Sequence, residues 1–205
     1  MVRTDAYAPC SLAPVVPILI DGQNLFHALQ LIGVREQDID WEKFAQHLAG
    51  PGNRGEIFWF RAGEAKVISL SKSLVLEMLI REKYPQREAE LKAAFRQRQL
   101  PHAIYQEVNR LYREREDWLK QEQDAFHQVD RSYERLANRY AHLPLCHRGM
   151  VRFDPYQQKC LGEKGVDVAI SVKMIQLAYQ SSCTKIILLS GDLDFIEAVK
   201  AVQEM

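Results

Sequence analysis

Neither sign of charge prevails in this 205-residue chain, in which 27 Lys and Arg stand against 27 Asp and Glu. That balance excludes a broad cationic coat for nucleic acid, so any basic surface has to be local. Nothing approaches the roughly 20 apolar residues that a membrane-spanning helix needs. The first 14 residues hold Pro9 and Pro14 but no basic stretch followed by a long apolar core, so they read as a loose tail without a secretory signal. A cytoplasmic setting follows, with the four cysteines mostly reduced. Cysteine pairs at Cys-x-x-Cys spacing are missing too. His142, Cys146, His147 and Cys160 gather in one region, yet they lack the paired spacing of a zinc site, and the plain structural reading is preferred. No Gly-x-Gly-x-x-Gly follows the first apolar run, which discounts a dinucleotide fold. Internal repeats and low-complexity segments are absent.

What the chain does have is 47% hydrophobic content, enough for a full core plus an elaboration. Two apolar runs stand out, Val15-Val16-Pro17-Ile18-Leu19-Ile20 and Lys185-Ile186-Ile187-Leu188-Leu189. Each is too short for a typical helix and rich in Ile and Leu, the pattern of a strand buried on both faces of a parallel sheet. Asp21 follows the first run, and Ser190-Gly191-Asp192-Leu193-Asp194-Phe195 follows the second. In open α/β sheets the ligand crevice lies beyond the carboxyl ends of the strands, so these acids would be delivered to one rim. Clustered carboxylates repel unless a hard cation such as Mg²⁺ or Mn²⁺ neutralises them. Taken singly, Asp21 also suits the turn Asp21-Gly22-Gln23-Asn24, and Asp194 suits the cap of a helix beginning near Phe195.

A fourth acid comes from Glu163-Lys164-Gly165-Val166-Asp167-Val168, which opens a helix. Its apolar residues Val168, Ile170, Val172, Met174, Ile175, Leu177 and Ala178 are expected to cover the sheet, with Asp167 in the first turn. Capping of the positive helix end would explain Asp167 taken alone.

Together, Ile20-Asp21-Gly22-Gln23-Asn24-Leu25, Glu163-Lys164-Gly165-Val166-Asp167-Val168-Ala169 and Leu189-Ser190-Gly191-Asp192-Leu193-Asp194-Phe195 resemble the NYN family of PIN-like nucleases, in its LabA-like branch. The resemblance implies a Rossmann-like three-layer α/β/α domain with a parallel sheet, and metal-dependent hydrolysis of RNA phosphodiesters. It makes Asp21, Asp167, Asp192 and Asp194 both the catalytic residues and the ligands of Mg²⁺ or Mn²⁺, with Asn24 and Ser190 as polar support; Lys164 and Lys173 are further candidates for support or substrate contacts, on their own charge. Lys173 stands where the family often has a further acid. The family's sheet also continues beyond the helix at 195–204, whereas this sequence stops at Met205. An open sheet edge is therefore expected, answered by dimerisation, by a covering segment or by poor solubility. The competing reading is a catalytically weak or inactive NYN regulatory module that binds RNA or protein.

The α/β domain is assigned to residues 15–63 and 144–205, with a second strand at 56–60 and a further one at 149–153. Between them, residues 64–143 read as a helical insertion divided by Pro85 and Pro101. Its last piece, beginning near His102, carries Ile104, Val108, Leu111, Trp118, Phe126, Val129, Tyr133, Leu136 and Tyr140 at largely three- and four-residue steps. This resembles a heptad seam, and about 38 such residues would reach roughly 57 Å. The insertion is expected to project or fold back, to serve assembly with a second copy or a protein partner, and to carry its most basic stretch at Arg96, Arg98, Arg110, Arg113 and Arg115.

Overall fold

The computed structural model describes residues 13–140, 143–180 and 183–205. Most of the tail at 1–14, and His142 of the weighed zinc set, lie outside the described residues. Two compact units form: Met1–Arg61, Leu136–Cys146 and Asp167–Met205 make the first, Ala62–Arg135 and His147–Val166 the second.

The chain enters the first unit through β1 (Val15–Asp21), α1 (Gly22–Leu31), α2 (Trp41–Ala49) and β2 (Arg54–Arg61). It crosses the second unit through β3 (Glu64–Val67), α3 (Lys72–Lys83), α4 (Glu88–Arg96) and α5 (His102–Ala137). Then come β4 (Leu145–His147), β5 (Met150–Asp154), β6 (Lys159–Lys164), α6 (Val166–Tyr179), β7 (Ile187–Leu189) and α7 (Ile196–Gln203).

The sheet of the first unit has the order β4-β2-β1-β7 and is flanked by helices. β1 runs parallel to β2 with Ile18 opposite Ile57 and Asp21 opposite Phe60, and parallel to β7 with Ile20 opposite Leu189. Ile18, Leu19 and Ile20 are fully buried on alternating faces, which is why the run carries no polar residue until its exit. Trp41 and Trp59 meet edge to face at 4.8 Å and fill the space between α2 and β2. Asp40 caps α2 by accepting from the Lys43 amide. β7 ends the sheet, with β1 beside it on one side and no described strand on the other.

α6 starts at Val166 and places Asp167 in its first turn. Its packing face is narrower than composition suggests. Val166, Ile170, Met174 and Leu177 are buried at helical spacing, whereas Val168, Val172, Ile175 and Tyr179 are exposed. The apolar residues cover more of the helix surface than the sheet beneath it, so half of them face outward.

The second unit corrects two expectations. Residues 149–153 do not extend the main sheet: β5 lies in a separate three-stranded sheet, parallel to β3 and antiparallel to β6. Residue 64 opens a strand rather than a helix, and the helices begin at Lys72 under the cap of Ser71. Pro85 opens a 3₁₀ turn and Pro101 immediately precedes α5, as prolines do where a helix cannot continue. Val75, Leu76, Leu79 and Ile80 of α3 pack with Leu91 of α4 and Ile104 and Val108 of α5. α5 is one unbroken helix of 36 residues, about 54 Å at 1.5 Å per residue.

α4 ends in a left-handed residue. The Arg98 amide donates to the Phe95 carbonyl at 3.1 Å and the Gln99 amide to the Ala94 carbonyl at 2.8 Å, the paired bonds of a Schellman motif. Glycine normally occupies this place. Here Arg98 adopts φ of 59°, which costs a residue with a β-carbon about 1 kcal/mol. Among the described residues, no helix is long and apolar enough to cross a membrane.

Candidate active site at the rim of the parallel sheet

Because β1 and β7 are parallel neighbours, their carboxyl ends emerge side by side, and Asp21 comes next to Ser190. The turn that carries Asp21 is forced close to β2. A β-carbon on Gly22 would lie 2.5 Å from Trp59 Nε1 and 2.7 Å from the Phe60 carbonyl oxygen, so only glycine lets α1 start there.

Asp21 is 3% exposed and caps α1. Its Oδ1 accepts from the Asn24 amide at 3.1 Å, and its Oδ2 accepts from Asn24 Nδ2 at 2.6 Å and from Ser190 Oγ at 3.0 Å. A buried carboxylate with three hydrogen bonds from neutral donors keeps a fixed orientation without losing its charge to a protein cation. Ser190 Oγ in turn accepts from the Asp192 amide at 3.1 Å, and Asp192 Oδ1 accepts from the Asp194 amide at 2.9 Å. Asn24, Asp21, Ser190, Asp192 and Asp194 thus form one hydrogen-bonded ladder along the rim. The cap of the turn before α7 is Asp192, not Asp194, and α7 itself has no side-chain cap, so the exposed Asp194 carboxylate is not engaged in capping.

Among the described residues, no Lys or Arg forms an ion pair with Asp21, Asp192 or Asp194. Asp167 lies half-buried in the first turn of α6, in the same unit. Lys173, also on α6, sets its ammonium over the Phe58 ring, 4.6 Å from the centroid, and Phe58 lies two residues before the rim position Phe60. A cation held there is engaged by the ring. Lys164 ends β6 in the second unit and is exposed.

A divalent ion at this rim would meet carboxylate oxygens. Those of Asp21, Asp192 and Asp194 are hard and have no ion pair among the described residues, the type that Mg²⁺ and Mn²⁺ take. Among the described residues, however, no three His, Cys, Asp or Glu side chains are gathered closely enough to cage an ion. Mg²⁺ commonly uses one or two carboxylates, with water and substrate phosphate completing its shell, so the rim fits that mode of binding and not a closed protein cage.

The model of the NYN domain matches residues 15–205, from the first strand to the last residue. The chain belongs to the NYN domain family. NYN domains are generally nuclease-like. The match includes every rim residue described above, and no curated protein and no solved structure matches the chain. What sequence reasoning missed in this NYN domain is the double role of Ser190, which joins the two halves of the rim. Its position one residue after a buried strand, parallel to the one ending in Asp21, was the available signal.

Proposed function

We propose that this NYN domain is a Mg²⁺- or Mn²⁺-dependent ribonuclease of the LabA-like, PIN-like kind, hydrolysing RNA phosphodiester bonds at the rim of the parallel sheet. The observation that carries this reading is the Asn24–Asp21–Ser190–Asp192–Asp194 ladder, which presents carboxylates without a cation at the carboxyl ends of two adjacent strands. Asp21, Asp167, Asp192 and Asp194 are assigned as the residues that would hold the ion. When bound, the ion would polarise the phosphoryl group and supply hydroxide near neutral pH. The chain's own part is positional. Asn24 and Ser190 fix the Asp21 carboxylate, the Ser190 hydroxyl ties the loop after β7 to the end of β1, and exposed Asp194 offers an acceptor to a water attacking phosphorus.

Labelled single-stranded RNA, incubated with the full chain and Mn²⁺, should be cut, and EDTA should stop the cutting. Cleavage that persists in EDTA would overturn the metal-dependent reading.

One observation favours a second reading, a catalytically weak or inactive NYN module that binds RNA or protein while its helical part mediates assembly. It is the lack of a ready three-ligand cage among the described residues, with Lys173 engaged at Phe58. Binding of RNA without cleavage in Mg²⁺ or Mn²⁺ would select it.

A further inference from the structure

Helices α3, α4 and α5 of the second unit line a half-open cavity of about 760 Å³, within the range of small-ligand sites. Its wall is cationic. Lys72 begins α3, Lys92 and Arg96 lie on α4, and Arg98 sits in the turn before α5, against a single acid, Glu77.

These cations are not equivalent. Lys92 is bound to Glu88 at 2.7 Å with Glu77 at 4.0 Å, and the Lys72 ammonium stands over the Tyr112 ring at 5.5 Å. Arg96 and Arg98 are exposed, and among the described residues neither guanidinium has an ion pair or hydrogen bond. Arg98 is also the residue whose backbone is held left-handed at a position suited to glycine. A strained backbone that delivers an unpaired guanidinium to a cavity mouth points to a ligand for that guanidinium.

Beside the two arginines the lining offers flat apolar surface. Phe95 is half-buried, Tyr105 is 49% exposed, and Leu76 and Leu100 complete the lining. Two guanidiniums lining one cavity match a phosphate, and aromatic side chains beside them match a base.

We propose that this cavity binds one nucleotide of a single-stranded RNA, its phosphate on Arg96 and Arg98 and its base against Phe95 and Tyr105. The choice of RNA over a free nucleotide rests on the ribonuclease reading; the chemistry of a phosphate joined to a flat ring does not.

The test uses the full chain in EDTA, so that binding is read without cleavage, with a fluorescein-labelled 12-residue oligoadenylate followed by anisotropy across a salt series. The double variant R96A/R98A should raise Kd about tenfold or more and flatten the slope of log K against log salt by about 0.7, the share of the one phosphate that both arginines hold. Arg98→Gly should weaken binding while raising the thermal midpoint, because it removes the guanidinium and relieves the left-handed strain. A misfolded variant cannot give that pair of results.

Unchanged affinity and salt slope in R96A/R98A would overturn the site. Displacement of the RNA by micromolar adenosine monophosphate would make a free nucleotide the occupant and overturn the RNA assignment. The two readings fail separately. Cavity-dependent RNA binding by a wild-type chain that never cleaves in Mn²⁺ sinks the nuclease and keeps the site, whereas Mn²⁺-dependent cleavage with R96A/R98A binding unchanged sinks the site and keeps the nuclease.

Discussion

Replacing Ser190 by alanine removes the atom that joins the two strand exits. The lost hydroxyl donates to Asp21 Oδ2 at 3.0 Å and accepts from the Asp192 amide at 3.1 Å. The second loss is small, because Asp192 is exposed and its amide can turn to water. The first is not, because Asp21 is 3% exposed and its Oδ2 would keep only Asn24 Nδ2. A hydrogen bond to a charged group contributes about 1.5–3 kcal/mol, so Ser190→Ala should destabilise the first unit by about 2 kcal/mol. For a chain of this size that corresponds to a fall of about 4–8 °C in Tm. Urea titration in a Trp118→Phe background reads the unit through Trp41 and Trp59, both buried in it. Ser190→Thr keeps the hydroxyl oxygen and should recover most of the loss. Metal-dependent cleavage should fall with Ser190→Ala as the Asp21 carboxylate loses its orientation. A Ser190→Ala chain within about 0.5 kcal/mol of wild type would refute the view that this hydroxyl holds the rim together.

Three further perturbations separate chemistry from packing. In Asp192→Asn the amide oxygen can keep the bond from the Asp194 amide while its nitrogen meets solvent, so stability should change by less than about 0.5 kcal/mol while cleavage of labelled RNA is lost; full cleavage would move the chemistry away from the rim. Gly55→Ala puts a β-carbon 2.4 Å from the Ala45 carbonyl oxygen, part of the α2 backbone, and should cost about 2–3 kcal/mol in a urea titration, with an unaltered midpoint contradicting the close seat of α2 on β2. Glu88 and Glu90 are held below their ordinary carboxylate range, chiefly by hydrogen bonds from Lys92 and Arg87 respectively. A depressed folded-state value means that their stabilisation is full above the unfolded value, about 4.3, and is lost as pH falls through the lower folded value. The protection of α4 amides against exchange, taken relative to the intrinsic rate at each pH, should therefore fall below about pH 4.5 and stay level between pH 5 and 7, and Arg87→Met with Lys92→Met should remove that acid dependence.

The rim was legible because its cause is local. Ile18, Leu19 and Ile20 are apolar on both faces because the strand is covered on both, and an Asp directly after such a run has to stand at the sheet's edge. The same holds for Ser190 and Asp192 after β7, and Gly165 before Val166 marks the start of α6. The second sheet was not legible. Glu64-Ala65-Lys66-Val67 is short and alternates between exposed and half-buried residues, so it carries no apolar run to announce it. β5 alternates as a strand should, but its partner is β3, more than eighty residues earlier, and nothing local distinguishes that pairing from a place in the main sheet. α6 failed differently. With apolar residues around most of its circumference, the period cannot say which stripe meets the sheet, and Val168, Val172, Ile175 and Tyr179 fell on the outer side.

The arginines show where composition ends and pairing begins. Five of them, at 96, 98, 110, 113 and 115, look alike as a basic stretch, yet the structure divides them. Arg110 is closed by Glu114 one turn on, and Arg115 spends an N–H on the Leu111 carbonyl. Arg96 and Arg98 have no acid three or four residues away in either direction, only Lys92, Ala93, Ala94, Phe95, Gln99, Leu100, Pro101 and His102. A helix surface neutralises charge at those spacings, so a cation without a partner there stays available to a ligand unless the tertiary fold supplies an acid. Here Glu77 and Glu88 are both taken up by Lys92. A chain with equal numbers of acids and bases can therefore still present a positive cavity, because neutrality is a sum over the molecule and binding depends on which charges remain unspent at one place.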